Sequence, residues 1–147
     1  MGAFFLDRSF VQTFLPYADF ERSAKVLDYK RLGKQRVEAL QLLRGQWSNH
    51  PAAKMWKGFE YRLGEYAEVI CLEWVSRGYQ DTCLAKVRAE KLKFKQVGLP
   101  PWLGLEDLHR SHRSNLLRKY PEHYQGYFNE PNDLPYLWPT VLGVDNG

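Results

Sequence analysis

The stretch Pro51-AAKMWKGFEYRLGEYAEVICLEWVSR-Gly78 decides the fold. Met55, Phe59, Leu63, Tyr66, Ile70 and Trp74 recur at intervals of 4, 4, 3, 4 and 4. That spacing lines up one apolar face of an α-helix. Pro51 is a favoured first-turn residue and Gly78, behind Arg77, closes the pattern, so one long central helix is predicted. Upstream, Asp19 can cap a short helix over Phe20 to Leu27, and Asp28 a second that runs to about Leu43 and ends at Gly45. Val37, Leu40 and Leu43 give that second helix an inward stripe. Gly33 inside it weakens it by about 1 kcal/mol relative to Ala, which points to a close approach by backbone or ligand. Downstream, Thr82 to about Lys95 and Glu106 to Lys119 read as helices, and Pro121 starts a last short one with Tyr124, Tyr127 and Phe128. Little alternates with period two. The class is all-α: a single compact helical domain spanning 1–147, with one long central helix wrapped by shorter ones. Residues 1–10 read as an N-terminal extension, and 134–147, with its prolines, as an irregular tail.

The 147 residues, 44% hydrophobic and 26% charged, suit one globular domain. No apolar run approaches the ~20 residues of a spanning helix. The apolar start Ala3 to Leu6 meets Asp7 and Arg8 too soon for a secretory leader. No membrane association is expected, and the chain reads as cytoplasmic and monomeric. Cys71 and Cys83 read as buried reduced thiols. Without CxxC or other ligand spacing, neither a metal nor any other cofactor is expected. No GxSxG, HExxH, P-loop or GxGxxG occurs, which removes the main support for serine hydrolase, zincin, kinase and dinucleotide-binding readings.

The net charge of +4 is small, but the basic residues cluster in three segments, Lys30 to Arg44, Lys86 to Lys95 and His109 to Lys119. Converging on one face, they would form a footprint for a polyanion. The densest constellation is Asp28-YKRLGKQRV-Glu38. On a helix Lys30, Lys34, Glu38 and Gln41 share one face, bordered by Arg31 and Gln35, so amines, a guanidinium and a carboxylate come within reach of one bound group. The plainer reading is a solvated face in which Lys34 pairs with Glu38. A second block, His109-RSHRSNLLR-Lys119, supplies Arg110, His112, Arg113, Ser114, Asn115, Arg118 and Lys119, donor types that contact DNA phosphates. A third, Trp47-Ser-Asn49-His50, lies at a helix mouth where Asn49 and His50 can bind an anion or polarise a base; the plainer reading is capping by Ser48 or Asn49 with a packed Trp47.

These blocks, with Gln12-TFLP-Tyr17, Arg31-LGKQ-Arg36, Asn49-His-Pro51, Glu73-Trp74, Arg77-Gly-Tyr79 and Pro121, resemble the phage endonuclease V type of pyrimidine-dimer DNA glycosylase. They resemble its bacterial relatives of unassigned role more closely, over about Val11 to Pro139. The resemblance implies an all-α fold, binding to duplex DNA with a nucleotide turned out of the stack, and base excision with or without abasic-site lyase activity. It also implies an N-terminal amine that attacks sugar C1′, helped by a Glu on the second helix. Here that Glu falls on Arg31, and Val11 or Gln12 sits where the amine should be.

The carboxylates expected to serve are therefore Asp28 or Glu38, with Lys34, Arg31 and His50 as the other catalytic candidates. Lys34, Lys30 and the terminus at Gly2 are the candidate amines, and water is the alternative attacking group. Lys30, Arg36, Asn49, Arg110, His112, Arg113, Ser114, Asn115, Arg118 and Lys119 are expected at the DNA. Trp47, Trp56 and Trp102 are the expected stacking surfaces for bases. A non-catalytic nucleic-acid-binding module that keeps the fold is the alternative.

Overall fold

The computed structural model describes residues 11–140 and 143–146, with side chains through residue 139. The extension 1–10, and with it the Gly2 terminus, lies outside the described residues. Helices dominate: α1 (Phe20–Val26), α2 (Tyr29–Leu43), α3 (Pro51–Trp56), α4 (Glu60–Ser76), α5 (Leu84–Lys91), α6 (Glu106–Lys119) and α7 (Pro121–Tyr124). Asp19 caps α1 by accepting from Arg22 N at 2.8 Å, and Asp28 is the N-cap of α2. Asp81 accepts from the N–H groups of Cys83 and Leu84 at the start of α5. Each cap satisfies donors that the first helical turn leaves open.

The central helix is α4. It packs against α1, α2 and α5 and buries Leu63, Tyr66, Ala67, Ile70, Cys71 and Trp74. The long helix expected from Pro51 onward is two helices. Gly58 sits at φ 87°, a left-handed conformation that only glycine adopts without steric cost, and the chain turns there between α3 and α4. Met55 still faces the core, so the apolar stripe reads through a break in the backbone. Val37 is exposed rather than inward, and the buried face of α2 is Leu32, Gln35, Ala39, Leu40, Leu42 and Leu43. The tail expected to be irregular contains an antiparallel pair, β1 (Leu137–Thr140) and β2 (Gly143–Asn146), with β1 against α3 and α6. Cys71 and Cys83 are buried and free, and burial pushes the Cys71 thiol up to about 12.

Gly33 marks a close approach. A Cβ there would stand 2.9 Å from Cη2 and Cζ3 of Trp74. That indole is fixed by a hydrogen bond to Gln80 O at 2.8 Å, by stacking on Tyr29 and by the Arg36 guanidinium 4.4 Å from its ring centre. Gly33→Ala should destabilise the fold by ~1–2 kcal/mol in urea unfolding, because overpacking outweighs the gain of about 1 kcal/mol in helix propensity. A variant as stable as the parent, or more so, would show that the indole moves aside freely.

Residues 11–15 form an extended strap through the interior, with Val11, Phe14 and Leu15 buried and Gln12 and Thr13 buried beside them. Their polar groups are paired across the chain. Gln35 accepts from Phe14 N at 2.7 Å and donates to Gln12 O at 2.7 Å. The Tyr66 hydroxyl lies 2.7 Å from Phe14 O, and Tyr136 donates to Thr13 O at 2.8 Å. Such pairing is what lets a polar strap lie inside a core.

Candidate functional site

The strap, α2 and the end of α6 meet at a cavity of about 220 Å³ lined by Gln12, Phe14, Lys30, Arg31, Lys34, Glu38 and Lys119. Glu38 is its only carboxylate among the described residues. It is 8% exposed, and burial pushes its carboxyl up to about 7 against the opposing pull of Lys34, the Gln12 backbone N–H and Lys119. Lys34 Nζ lies 3.6 Å from Glu38 Oε2. A carboxyl in that range exchanges protons near neutral pH, the property wanted of a general acid or base.

Lys30, Arg31 and Lys119 also line a second cavity, of about 580 Å³, with Asp28, Tyr29, Tyr120 and His123. Tyr29 and Tyr120 are well exposed. Tyr120 stacks on His123, whose ring nitrogen is 2.9 Å from Val26 O. Asp28 belongs to the wall more than to the chemistry. It caps α2, pairs with Arg31 at 3.1 Å and accepts from the Tyr124 hydroxyl, which in turn accepts from Asp28 N at 2.9 Å. Burial and the hydrogen bond to Asp28 raise the pKa of Tyr124 further above its ordinary value.

The structure thus joins Lys30, Arg31, Lys34, Glu38 and Lys119, with Asp28 beside them. It does not bring His50 there. His50 is buried, caps α3 by accepting from Ala52 N at 2.9 Å, and packs edge-on against Trp138. Much of the α6 block also faces inward. His112 is fully buried, accepts from Leu15 N at 3.0 Å and stacks on Tyr136, and burial drives its pKa down to about 3. Arg113 bonds Glu130, Glu106 and Pro16 O. Ser114 ties to Pro131 O and Leu134 N, and Asn115 is buried. His112, Arg113 and Ser114 hold α6 to the strap and the tail, and none of these three or the buried Asn115 offers an exposed surface.

Arg36 is committed to Asp81 at 2.5 Å. Arg118 is exposed and donates to Asn132 O at 2.7 Å, Arg110 is half-buried, and Asn49 is exposed. Trp56 and Trp102 are core residues whose indoles donate to Thr13 Oγ1 and Met55 O, both at 3.0 Å. They cannot stack on a base without unfolding their surroundings. Trp47 is half-buried at φ 62° against the core. In the basic segment on α5, Arg88 and Lys91 both pair with Glu68, and Lys93 pairs with Glu90. Lys30, Arg31, Lys34 and Lys119 lie together where α2 and the end of α6 line one cavity.

Tyr29, Tyr120 and His123 belong to this site although none stood out in the sequence as part of it. Among the described residues no group of His, Cys, Asp and Glu is arranged to hold a metal ion, and no helix is long and apolar enough to cross a membrane. A family model described as pyrimidine dimer DNA glycosylase matches residues 11–87, just over half of the chain. Comparison with curated proteins and with solved structures gives no match.

Proposed function

The chain belongs to the pyrimidine dimer DNA glycosylase family, and from that premise we propose that it excises a damaged base from duplex DNA with Glu38 as the carboxylate that drives the reaction. The supporting observation is the pairing of a buried, proton-exchanging carboxyl with a rim of Lys30, Arg31, Lys34 and Lys119 in one cavity. The rim cations meet backbone phosphates on either side of the lesion. The larger cavity, walled by Tyr29, Tyr120 and His123, receives the nucleotide turned out of the stack, where aromatic faces offset part of the few kcal/mol that flipping costs.

In the docked complex, ionised Glu38 stabilises the positive charge that grows on C1′ as the glycosidic bond lengthens, and accepts a proton from the attacking water. The products are an abasic sugar and a base detached from it, which in a pyrimidine dimer stays bonded to its neighbouring base. Since the ionised form acts, base release should rise with pH through about 7, not through the ordinary carboxylate range near 4.5. Abasic sites formed in irradiated duplex DNA between pH 5 and 9 check this, and an acid limb near 4.5 would remove Glu38 from the role.

Arg31 stands where the phage enzyme has its carboxylate, and it is tied to Asp28. That substitution favours a second reading, a DNA-binding module without chemistry. Failure to form any abasic site in irradiated duplex, with binding intact, would establish it.

Binding itself should be strongly salt-dependent. Each neutralised phosphate contributes a slope of ~0.9 in log affinity against log salt. Lys30→Ala with Lys34→Ala should lower the slope by about 2, measured by fluorescence anisotropy across a salt series. An unchanged slope would move the DNA interface away from this rim.

A further inference from the structure

Tyr29, Trp74 and Tyr79 come from three separate blocks of the sequence and meet in one aromatic stack at the edge of the larger cavity. Trp74 lies so close to α2 that a Cβ at Gly33 would meet its ring. Gly78, at φ 94°, turns the chain behind α4 and brings Tyr79 back against the indole, with ring centres 4.3 Å apart and 31° between the planes. Tyr29 stacks on the same indole at 5.4 Å and lies 5.0 Å from Tyr79. The indole is the fixed member. It is 8% exposed, Gln80 O accepts from its Nε1, and the Arg36 guanidinium beside it is tied to Asp81. The tyrosines are the open members, Tyr29 53% and Tyr79 39% exposed. Buried Tyr66 and Tyr124 are anchored through their hydroxyls. Among the described residues neither Tyr29 nor Tyr79 makes such a bond.

We propose that this stack is a platform for the unpaired bases of single-stranded DNA, a binding site separate from the Glu38 carboxyl and independent of the glycosylase reading. Tyr29 is shared with the wall of the larger cavity, whereas Tyr79 lines neither cavity, so the aromatic surface runs outward from the site. Lys30, next to Tyr29 in the chain, is exposed and supplies a cation for the phosphate that joins two stacked bases. Open aromatic faces beside a cation fit a ligand that is itself both aromatic and anionic, which describes a nucleotide. An intact duplex cannot use them, because its bases already cover one another's faces. An unpaired strand can, and since every base has a face to stack, the platform reads strand character rather than sequence. Covering Trp74 needs no such faces, because an aliphatic side chain at position 79 would do it. The platform holds a frayed or gapped strand beside the duplex that lies on the cationic rim.

Fluorescence anisotropy of the full chain with a labelled oligothymidylate tests this. Tyr79→Leu, which keeps apolar cover over Trp74, should bind the strand at least ~5-fold more weakly, the low end for loss of one base–aromatic contact. Tyr79→Phe, which keeps the ring, should bind within ~2-fold of the parent. 2-Aminopurines placed in the strand report the stacking itself. Their fluorescence should be quenched by the parent and by Tyr79→Phe, and much less by Tyr79→Leu at saturation. Affinity for intact duplex and abasic-site formation in irradiated duplex should be the same in all three proteins, with urea unfolding confirming that each folds. A parent that binds no single strand overturns the platform. So does a Tyr79→Leu variant that binds the strand as tightly as the parent, or one that loses strand and duplex affinity alike. If the parent forms abasic sites but binds no single strand, the platform falls and the glycosylase reading stands. If it binds and quenches the strand through Tyr79 but forms no abasic site, the glycosylase reading falls and the platform stands.

Discussion

Glu38→Gln is expected to lower base release by ~10²–10⁴-fold, the range for removing a general acid or base, and to make the protein more stable. Glutamine keeps an acceptor for the Gln12 N–H but cannot ionise. Affinity for DNA should hold or rise, because a negative charge has left a cationic rim. The stability gain follows from the direction of the carboxyl's displacement. Burial raises Glu38 from 4.5 to about 7, so the folded state binds the proton more tightly than the unfolded chain. The parent's stability is therefore full below 4.5 and falls as the pH rises through about 7. The interval is worth ~3 kcal/mol, less what the pair with Lys34 returns. Denaturant unfolding at pH 8.5 should find the variant ~1–3 kcal/mol more stable than the parent, and at pH 4 the two should nearly coincide. A variant that keeps full activity, or one less stable at pH 8.5, would show that Glu38 is an ordinary ion-pair partner.

Gln35→Leu is the complementary experiment, in which a residue outside the cavity fails and takes the cavity with it. Gln35 is 1% exposed and bonds Phe14 N and Gln12 O, with the Tyr66 hydroxyl 2.6 Å from its Oε1. Leucine has similar bulk and leaves these groups unpaired in the interior. At ~1–3 kcal/mol for each stranded group, a loss of ~3–5 kcal/mol is expected in urea unfolding. Because the strap carries Gln12 over Glu38, loosening it admits water to the carboxyl. The acid limb of base release should then move from near 7 towards 4.5. A destabilised variant with an unmoved acid limb would separate the strap from the site's electrostatics.

What was legible in the sequence is what local patterns encode. The capping role of Asp19 and Asp28, the close approach at Gly33, the span of α6 and the Lys34–Glu38 pair one turn apart all follow from short-range spacing. The break at Gly58 was not, because an apolar stripe continues in register across it and only the backbone's φ reveals the turn. The α6 block was read outward because its residues are polar. Their inward placement depends on the strap and tail that pair with them, and nothing local distinguishes a buried His112 from an exposed one. Trp56 and Trp102 were taken for stacking surfaces for the related reason that an aromatic ring serves a core and a base equally well. On the carboxylate, the sequence left Asp28 and Glu38 level. The hydrogen bond from Tyr124, which occupies Asp28 from across the fold, separates them.

The strap also sets the order of events in synthesis. Its polar atoms find their partners at Gln35 and Tyr66, then at His112 and finally at Tyr136, separations of up to 123 residues. Contacts so distant in the chain slow folding, since a long loop must close before they reward it. As the polypeptide leaves the ribosome, Glu38 appears well before Lys119, Tyr120 and Tyr136. A nascent chain therefore carries a cationic α2 before its cavity is assembled, and the cavity closes only when α6 and the residues after it dock.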